Sequence, residues 1–115
     1  MVVEPLPIPA ISNWAQSQPL IRRLFLFGSY AKGTATSSSD IDLAVEIDDV
    51  VAMGEPMAQY IINRKTWQQE MERLLNRKVD LQFYSTDGST AVEGYVEEAG
   101  TLLIFARDIG RHEKP

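Results

Sequence analysis

The chain has 115 residues, no cysteine and a net charge of −5. Disulfides, thiolate zinc sites and a cysteine nucleophile are therefore excluded, and the scattered basic residues argue against stable nucleic-acid binding by this chain alone. The first residues lack the basic start and long apolar core of a signal peptide, and no apolar run approaches the length of a membrane span. We expect a cytoplasmic protein with a single domain over residues 1–115, a core over about 20–107 and a short tail over 108–115.

Local patterns predict alternating helices and strands. Apolar spacing of three and four residues indicates helices, two-residue alternation indicates strands, and Gly and Pro residues mark the breaks between them. In chain order the prediction is a helix over 8–16, a strand over 21–27, a helical turn over 29–33, a strand over 40–47, a long helix over 55–76, a strand over 79–84, a turn over 86–89, a helix over 90–99 and an edge strand over 102–106. This order predicts an α/β (α+β) sheet with its helices packed mainly on one face.

The predicted strands each have one apolar and one polar face. In the second strand the apolar face comprises Ile41, Leu43, Val45 and Ile47, and the opposite face comprises Asp40, Asp42, Ala44 and Glu46. In the third strand Asp80, Gln82 and Tyr84 share the polar face. We interpret Glu46, Asp48 and Asp49 as a solvated acidic edge. The core-facing stripe predicted for the long helix is Met57, Tyr60, Ile61, Trp67, Met71, Leu74 and Leu75.

Asp40 and Asp42 place two like charges on one face of an otherwise apolar strand. Carboxylates at this spacing repel each other unless a proton or a cation compensates them. Mg²⁺ is a hard ion that prefers oxygen ligands, typically one or two carboxylates together with waters and substrate phosphates. Asp80, on the same face of the next predicted strand, would complete a carboxylate cluster. Three aspartates on two strands can support two Mg²⁺ ions.

Gly28 and Ser29 form a strand-to-helix step that suits a phosphate. Free backbone N–H groups at such a turn bind anions, and glycine lets a phosphate approach the backbone closely. Lys32 adds a positive charge nearby. Gly28 and Gly33 have the glycine spacing of a Walker A loop, but Thr34 stands where that motif requires lysine. A phosphate site beside an acidic cluster suggests a nucleoside triphosphate with magnesium.

The motifs Gly28-Ser29, Ala31-Lys32-Gly33 and Ser39-Asp40-Ile41-Asp42-Leu43 resemble the signature of the DNA polymerase β-like nucleotidyltransferases. The small size and a later Val79-Asp80-Leu81 are similar to the minimal nucleotidyltransferase branch. The resemblance implies a mixed sheet and transfer of a nucleoside monophosphate, here AMP from ATP, with release of pyrophosphate. It implies that Asp40 and Asp42 bind metal and that Asp80 acts as metal ligand and base. Gly28, Ser29, Lys32 and Ser39 would bind the nucleotide.

Minimal members of this family resemble antitoxins that pair with a HEPN-domain toxin, which is a ribonuclease. The resemblance therefore implies a hetero-oligomer in which this chain adenylylates its HEPN partner on a hydroxyl group. The acceptor hydroxyl is expected to belong to a tyrosine. Larger members carry a second domain for the acceptor, and a chain of 115 residues has no room for one.

Simpler interpretations stay open for each residue and for the whole chain. Gly28-Ser29 alone is compatible with a plain turn, Asp40 with a cap, Asp80 with an exposed strand position and Lys32 with a solvent-facing side chain. At the level of function, one alternative is a non-catalytic antitoxin that neutralises its partner by binding. Another is the catalytic subunit of a small-molecule nucleotidyltransferase.

Overall fold

The computed structural model of the protein describes residues 6–85 and 101–107. Its elements in chain order are α1 (Ile8–Gln16), β1 (Ile21–Phe27), α2 (Gly28–Lys32), β2 (Ile41–Ile47), α3 (Pro56–Leu75), β3 (Val79–Phe83) and β4 (Leu102–Ala106). Each of these matches its predicted element to within about two residues. The predicted turn over 86–89, helix over 90–99 and tail over 108–115 lie outside the described residues.

The strands form one mixed, four-stranded sheet in the order β3-β2-β1-β4. β1 pairs antiparallel with both β2 and β4, whereas β2 and β3 are parallel. The parallel pair requires a crossover, which α3 provides. The prediction of a small mixed sheet is therefore confirmed, and β4 lies at an edge as expected.

The main core lies between one face of the sheet and helices α1 and α3. Its fully buried side chains include Ile11 from α1, Met71 from α3, and Ile41, Leu43 and Val45 from β2. The three β2 residues in this list are positions that the two-residue alternation assigned to the apolar face. The opposite face carries a smaller cluster formed by Phe25, Ala44 and Tyr84, against which Phe27 packs.

The contact face of α3 is narrower than its sequence predicts. Tyr60, Trp67, Met71 and Leu75 are buried, but Met57, Ile61 and Leu74 are exposed, so their assignment to the core is wrong. Each residue advances about 100° around a helix, so Ile61 lies well away from the line through Tyr60, Trp67 and Met71. Apolar residues on a wide arc therefore cannot all reach a single sheet surface.

α3 also covers the outer edge of β3 with polar side chains. The Tyr60 hydroxyl donates to the Leu81 carbonyl at 2.9 Å. The Leu81 N–H donates to Gln68 Oε1 at 3.4 Å, and the Val79 N–H donates to Glu72 Oε2 at 3.0 Å. Buried or edge backbone groups are costly when unpaired, so these contacts stabilise β3 on the side where no other strand of residues 6–85 and 101–107 pairs with it.

Glycine and asparagine end the helices as their sequences predict. Asn76 follows α3 with φ 54°, and Gly33 follows α2 with φ 78°, both in the left-handed region that closes helices. Within the described ranges, none of the helices is long and apolar enough to cross a membrane.

Candidate nucleotidyltransferase site

Strand register brings the aspartates and the Gly-Ser step to one end of the sheet. The parallel pairing of β2 with β3 sets Asp42 opposite Asp80, and the antiparallel pairing of β1 with β2 sets Phe27 opposite Asp42. Paired residues of neighbouring strands lie about 5 Å apart and point to the same face. Asp42 is therefore flanked by Asp80 on one side and by the end of β1, where Gly28 and α2 begin, on the other.

Gly28 lies directly against the carboxylate of Asp42. A Cβ placed on Gly28 would come within 2.1 Å of Asp42 Oδ2, and the glycine has φ +73°. Any larger residue would be strained by this backbone conformation and would also displace the carboxylate. The absence of a side chain at Gly28 therefore lets the start of α2 approach the Asp42 carboxylate closely, which supports the place of Gly28 in the candidate site.

Asp42 carries a negative charge that its surroundings oppose. Burial raises the pKa of Asp42, and the neighbouring Asp80 and Asp40 carboxylates raise it further. The only ion pair between described residues joins Arg23 and Glu46, so none involves Asp42. A half-buried carboxylate faced by two others is the arrangement that a cation would relieve.

Asp40 and Asp80 occupy different environments around Asp42. Asp40 is exposed and precedes β2, which begins at Ile41 and not at Asp40 as predicted. Asp80 is half-buried within β3, and its Oδ1 accepts a hydrogen bond of 2.8 Å from Gln82 Nε2. The three aspartates are thus close enough to interact electrostatically, but each is held differently.

The structure places the candidate phosphate-binding residues on α2 and on the loop that precedes β2. Gly28 and Ser29 open α2 and are half-buried, whereas Lys32 is exposed at the end of that helix. Ser39 Oγ accepts a hydrogen bond of 2.8 Å from the Thr36 N–H, so it also shapes the loop between α2 and β2. Phosphate binding by these residues remains a prediction.

The donor chemistry of this end of the sheet fits a hard divalent cation. Adjacent Asp42 and Asp80 supply carboxylate oxygens, and the raised pKa of Asp42 reflects its burial and, after that, the nearby negative charges. Among residues 6–85 and 101–107, no three His, Cys, Asp or Glu side chains converge closely enough to form a complete metal-binding group. A joint Asp40–Asp42–Asp80 metal site therefore stays a prediction.

The carboxylates at the end of β2 and just after it correct one interpretation made from the sequence. Glu46 and Asp48 are buried, so only Asp49 belongs to a solvated acidic edge. Glu46 pairs with Arg23, its direct neighbour in the strand register. Asp48 Oδ1 accepts from the Val50 N–H at 2.8 Å and so caps the following turn. Glu46 and Asp48 therefore each have a local partner, which the order of charges along the sequence did not indicate.

Sequence reasoning also missed Gln82 as part of the site. Gln82 lies two residues after Asp80, so strand alternation already placed both on the same face. That alternation was the available signal, but a neutral side chain gave no reason to connect it with the metal-binding chemistry. The hydrogen bond to Asp80 supplies this connection.

Comparisons with known proteins agree with this geometry. The family described as "Polymerase beta, Nucleotidyltransferase" matches residues 10–109. A comparison with curated proteins found no match. A crystal structure of a toxin–antitoxin with AMP-PNP shares the fold with a TM-score of 0.65 and 24% identity, covering 90% of this chain and 76% of that chain. A mutant of the toxin–antitoxin MntA-HpeT gives a TM-score of 0.64 and 22% identity, with the same coverages of 90% and 76%.

The chain therefore belongs to the polymerase β-like nucleotidyltransferase family, because the match covers most of its length. The resemblance seen in the Gly28-Ser29 and Asp-x-Asp motifs is confirmed at this level. The two solved structures establish that the fold is shared with proteins of toxin–antitoxin complexes.

Proposed function

We propose that this protein transfers AMP from ATP to a hydroxyl of a partner protein, with Mg²⁺ as cofactor. The observation that carries the proposal is the position of Asp42: it is half-buried, lies beside Asp80, is packed against Gly28 and is raised in pKa by burial and by Asp80 and Asp40. Such a carboxylate serves little structural purpose and is suited to binding a cation.

Each site residue then has a chemical role. Asp42 and Asp40 would hold Mg²⁺, with Asp80 beside them as the further ligand. Bound there, Mg²⁺ would neutralise charge on the triphosphate and favour departure of pyrophosphate. Gly28 and Ser29 would contact the phosphates through backbone N–H groups, and the Ser29 hydroxyl, Lys32 and Ser39 would add polar contacts.

Asp80 would accept the proton of the acceptor hydroxyl. The acceptor oxygen forms a bond to the α-phosphorus of ATP as the bond to the bridging oxygen of pyrophosphate breaks. The AMP unit is then esterified to the acceptor, and both electrons of the broken bond leave with pyrophosphate. Orientation and electrostatic stabilisation account for most of the catalysis in reactions of this kind.

We propose further that the acceptor is a HEPN-domain toxin, modified on a tyrosine in a cytoplasmic hetero-oligomer. Two structures with this fold come from toxin–antitoxin complexes, and one of them was determined with AMP-PNP. The protein also exposes apolar side chains that suit a protein partner: Val50 is 80% exposed, Met53 86%, Ile61 66% and Ile62 69%.

Intact-mass analysis tests the proposal. The purified chain is mixed with ATP labelled in the α-phosphate, magnesium and the protein encoded beside it, and both proteins are weighed. We expect the partner to gain one or more AMP units, and Asp40→Asn/Asp42→Asn to abolish this gain. Asp49→Asn is the matched control, because it removes an exposed carboxylate outside the site. Transfer that survives Asp42→Asn would disprove the mechanism.

A second candidate function is neutralisation of the partner by contact alone. The exposed apolar residues of α3 and of the turn before it favour this candidate. In that case Ile61→Asp would abolish complex formation and neutralisation, whereas Asp40→Asn/Asp42→Asn would leave both unchanged. A mass gain on a small acceptor, with none on the partner, would instead indicate a small-molecule transferase.

A further inference from the structure

The hydrogen bond between Gln82 and Asp80 does not belong to the backbone pairing of the sheet. Gln82 Nε2 donates to Asp80 Oδ1 at 2.8 Å, and both side chains are half-buried on the polar face. Among the side-chain hydrogen bonds of the described part of the chain, it alone engages one of the three candidate site aspartates. The contact occupies one carboxylate oxygen and leaves Oδ2 of Asp80 available.

Without such a donor, electrostatic repulsion would favour a rotamer of Asp80 that points away from the site. It faces Asp42 directly in the register of β2 and β3, and the two carboxylates repel each other. A side chain in β3 that rotated toward solvent would reduce this repulsion. A directional hydrogen bond from the neighbouring residue opposes that rotation and favours one orientation of Asp80.

The neighbours of Gln82 leave space for this contact. Gln82 pairs with Ala44 across the strands, and Ala44 is fully buried with a side chain of only one methyl group. Side chains two residues apart in a strand are about 7 Å apart at the backbone, which a glutamine side chain can span. Gln82 can therefore extend along β3 toward Asp80.

The choice of a neutral donor has a chemical consequence. A lysine or arginine at this position would form an ion pair with Asp80 and lower its attraction for a cation. An amide N–H holds the carboxylate without cancelling its charge. Residues that orient metal-binding carboxylates in this way contribute to metal affinity and activity without touching the ion.

We infer that Gln82 is a positioning residue, which holds Asp80 with one oxygen directed to the shared metal and acceptor region. The inference rests on the proposed function, because it concerns the orientation of a residue in that site. Because the orientation of Asp80 affects how it binds a metal ion, the inference can be tested by metal binding as well as by AMP transfer.

The test compares variants of Gln82, which lies in β3, with a variant of Gln68, which lies in α3 and contacts the backbone of β3. Gln82→Met keeps the length of the side chain but removes the donor, and Gln82→Thr serves as a second variant that suits a strand but cannot reach Asp80. Gln68→Met is the matched control, because Gln68 accepts from the backbone N–H of Leu81 in the same strand, whereas the hydrogen bond to the Asp80 side chain comes from Gln82. Binding of Mn²⁺ in the presence of AMP-PNP is titrated by calorimetry, and Tm, kcat and KM for ATP are measured alongside.

We expect both Gln82 variants to weaken Mn²⁺ binding and to lower kcat by about 10- to 100-fold, with KM for ATP little changed. Their Tm should stay close to that of the wild type. Gln68→Met should lower Tm and leave Mn²⁺ affinity and kcat unchanged. This pattern separates positioning from support of the strand.

Several results would overturn the inference. One is wild-type Mn²⁺ affinity and kcat in both Gln82 variants while Asp42→Asn is inactive, in which case the proposed function stands and the inference fails. Another is a loss of Mn²⁺ affinity in Gln68→Met equal to that in Gln82→Met. If the wild type transfers no AMP, the proposed function fails, and the Mn²⁺ titration alone decides the role of Gln82. Absence of Mn²⁺ binding by the wild type would also reject it.

Discussion

Strand β2 carries two carboxylates on the same face, and the protein treats them in opposite ways. Glu46 is buried and forms an ion pair with Arg23. The Arg23 guanidinium also lies 5.4 Å from the centre of the Phe25 ring and 5.8 Å from that of Tyr84. Asp42, four residues earlier, faces Asp80 and Asp40 and has no ion pair among the described residues.

The difference separates a structural charge from one that we propose to be functional. The hydrogen bond to Glu46 raises the pKa of Arg23, so the guanidinium stays charged, and the ion pair joins β1 to β2. Burial raises the pKa of Asp42, and the like charges of Asp80 and Asp40 raise it further, so the ionised carboxylate reduces the stability of the fold. Sites that bind ligands commonly retain such unfavourable arrangements, because the ligand relieves them. The end of the sheet with Asp42 is therefore the end at which to expect chemistry.

The largest expected effect is the loss of transfer in Asp42→Asn. We expect AMP transfer to fall by about 100-fold or more, because the variant removes one of the carboxylates that we propose to hold Mg²⁺. In EDTA its Tm should rise by about 1–3 °C, since the variant removes a half-buried charge that Asp80 and Asp40 also repel. Labelled transfer assays and calorimetry measure the two effects. A variant that is both active and less stable than the wild type would contradict the comparison.

Gly28→Ala should damage both activity and stability. Its Cβ would overlap the Asp42 carboxylate, and its φ of +73° disfavours side chains, so we expect a loss of about 2–4 kcal/mol in the free energy of unfolding together with loss of transfer. Gly33→Ala is the control, because Gly33 has φ +78° but no heavy atom within 4 Å of the added Cβ. It should lose only about 1 kcal/mol and retain transfer. Denaturant unfolding and transfer rates of the two variants decide the matter; equal losses of transfer would remove Gly28 from the site.

Glu46→Gln should show the reverse of Asp42→Asn. We expect the free energy of unfolding to fall by about 1–2 kcal/mol, because the charge-assisted hydrogen bond becomes a neutral one and Arg23 loses its ion-pair partner. The rate of transfer per folded molecule should remain that of the wild type. Urea denaturation followed by tyrosine and tryptophan fluorescence measures the stability. An inactive but stable Glu46→Gln would show that both carboxylates serve the site.

The smallest expected effect is the pH dependence of the increase in Tm that Asp42→Asn causes. Because the pKa of Asp42 is raised in the folded state, the native protein holds this proton to a higher pH than the unfolded chain does. Stability is therefore lost as pH rises from the ordinary aspartate pKa, about 3.9, through the raised value.

The Tm difference between Asp42→Asn and the wild type should thus be fully present at neutral pH and vanish below that ordinary pKa. Melting curves in EDTA across this range test it, with Asp49→Asn as the control expected to show little difference. A Tm gain for Asp42→Asn that persists unchanged in acid would show that charge repulsion is not its cause.

Much of the fold follows from local patterns. Two-residue alternation located β2 and β3 and assigned Asp42 and Asp80 to the polar face, because a strand allows its side chains only two directions. The stops at Gly33 and Asn76 were also predictable, since few other residues tolerate left-handed backbone conformations. The apolar face of α3 was less predictable, because helical periodicity does not reveal how wide a face the sheet will cover.

For the candidate site, the sequence by itself determined the chemical groups and their order along the chain. The Gly28-Ser29 step, the Asp40 and Asp42 pair and the later Asp80 all follow from residue type and spacing, which local backbone geometry converts into direction. Only the tertiary structure decided which carboxylates have partners. The register between strands sets Asp42 beside Asp80, Glu46 beside Arg23 and Gly28 against Asp42, and such contacts join residues that are distant along the chain. Charge compensation depends on those distances in space, so the difference in environment between Asp42 and Glu46 arises only when the sheet forms.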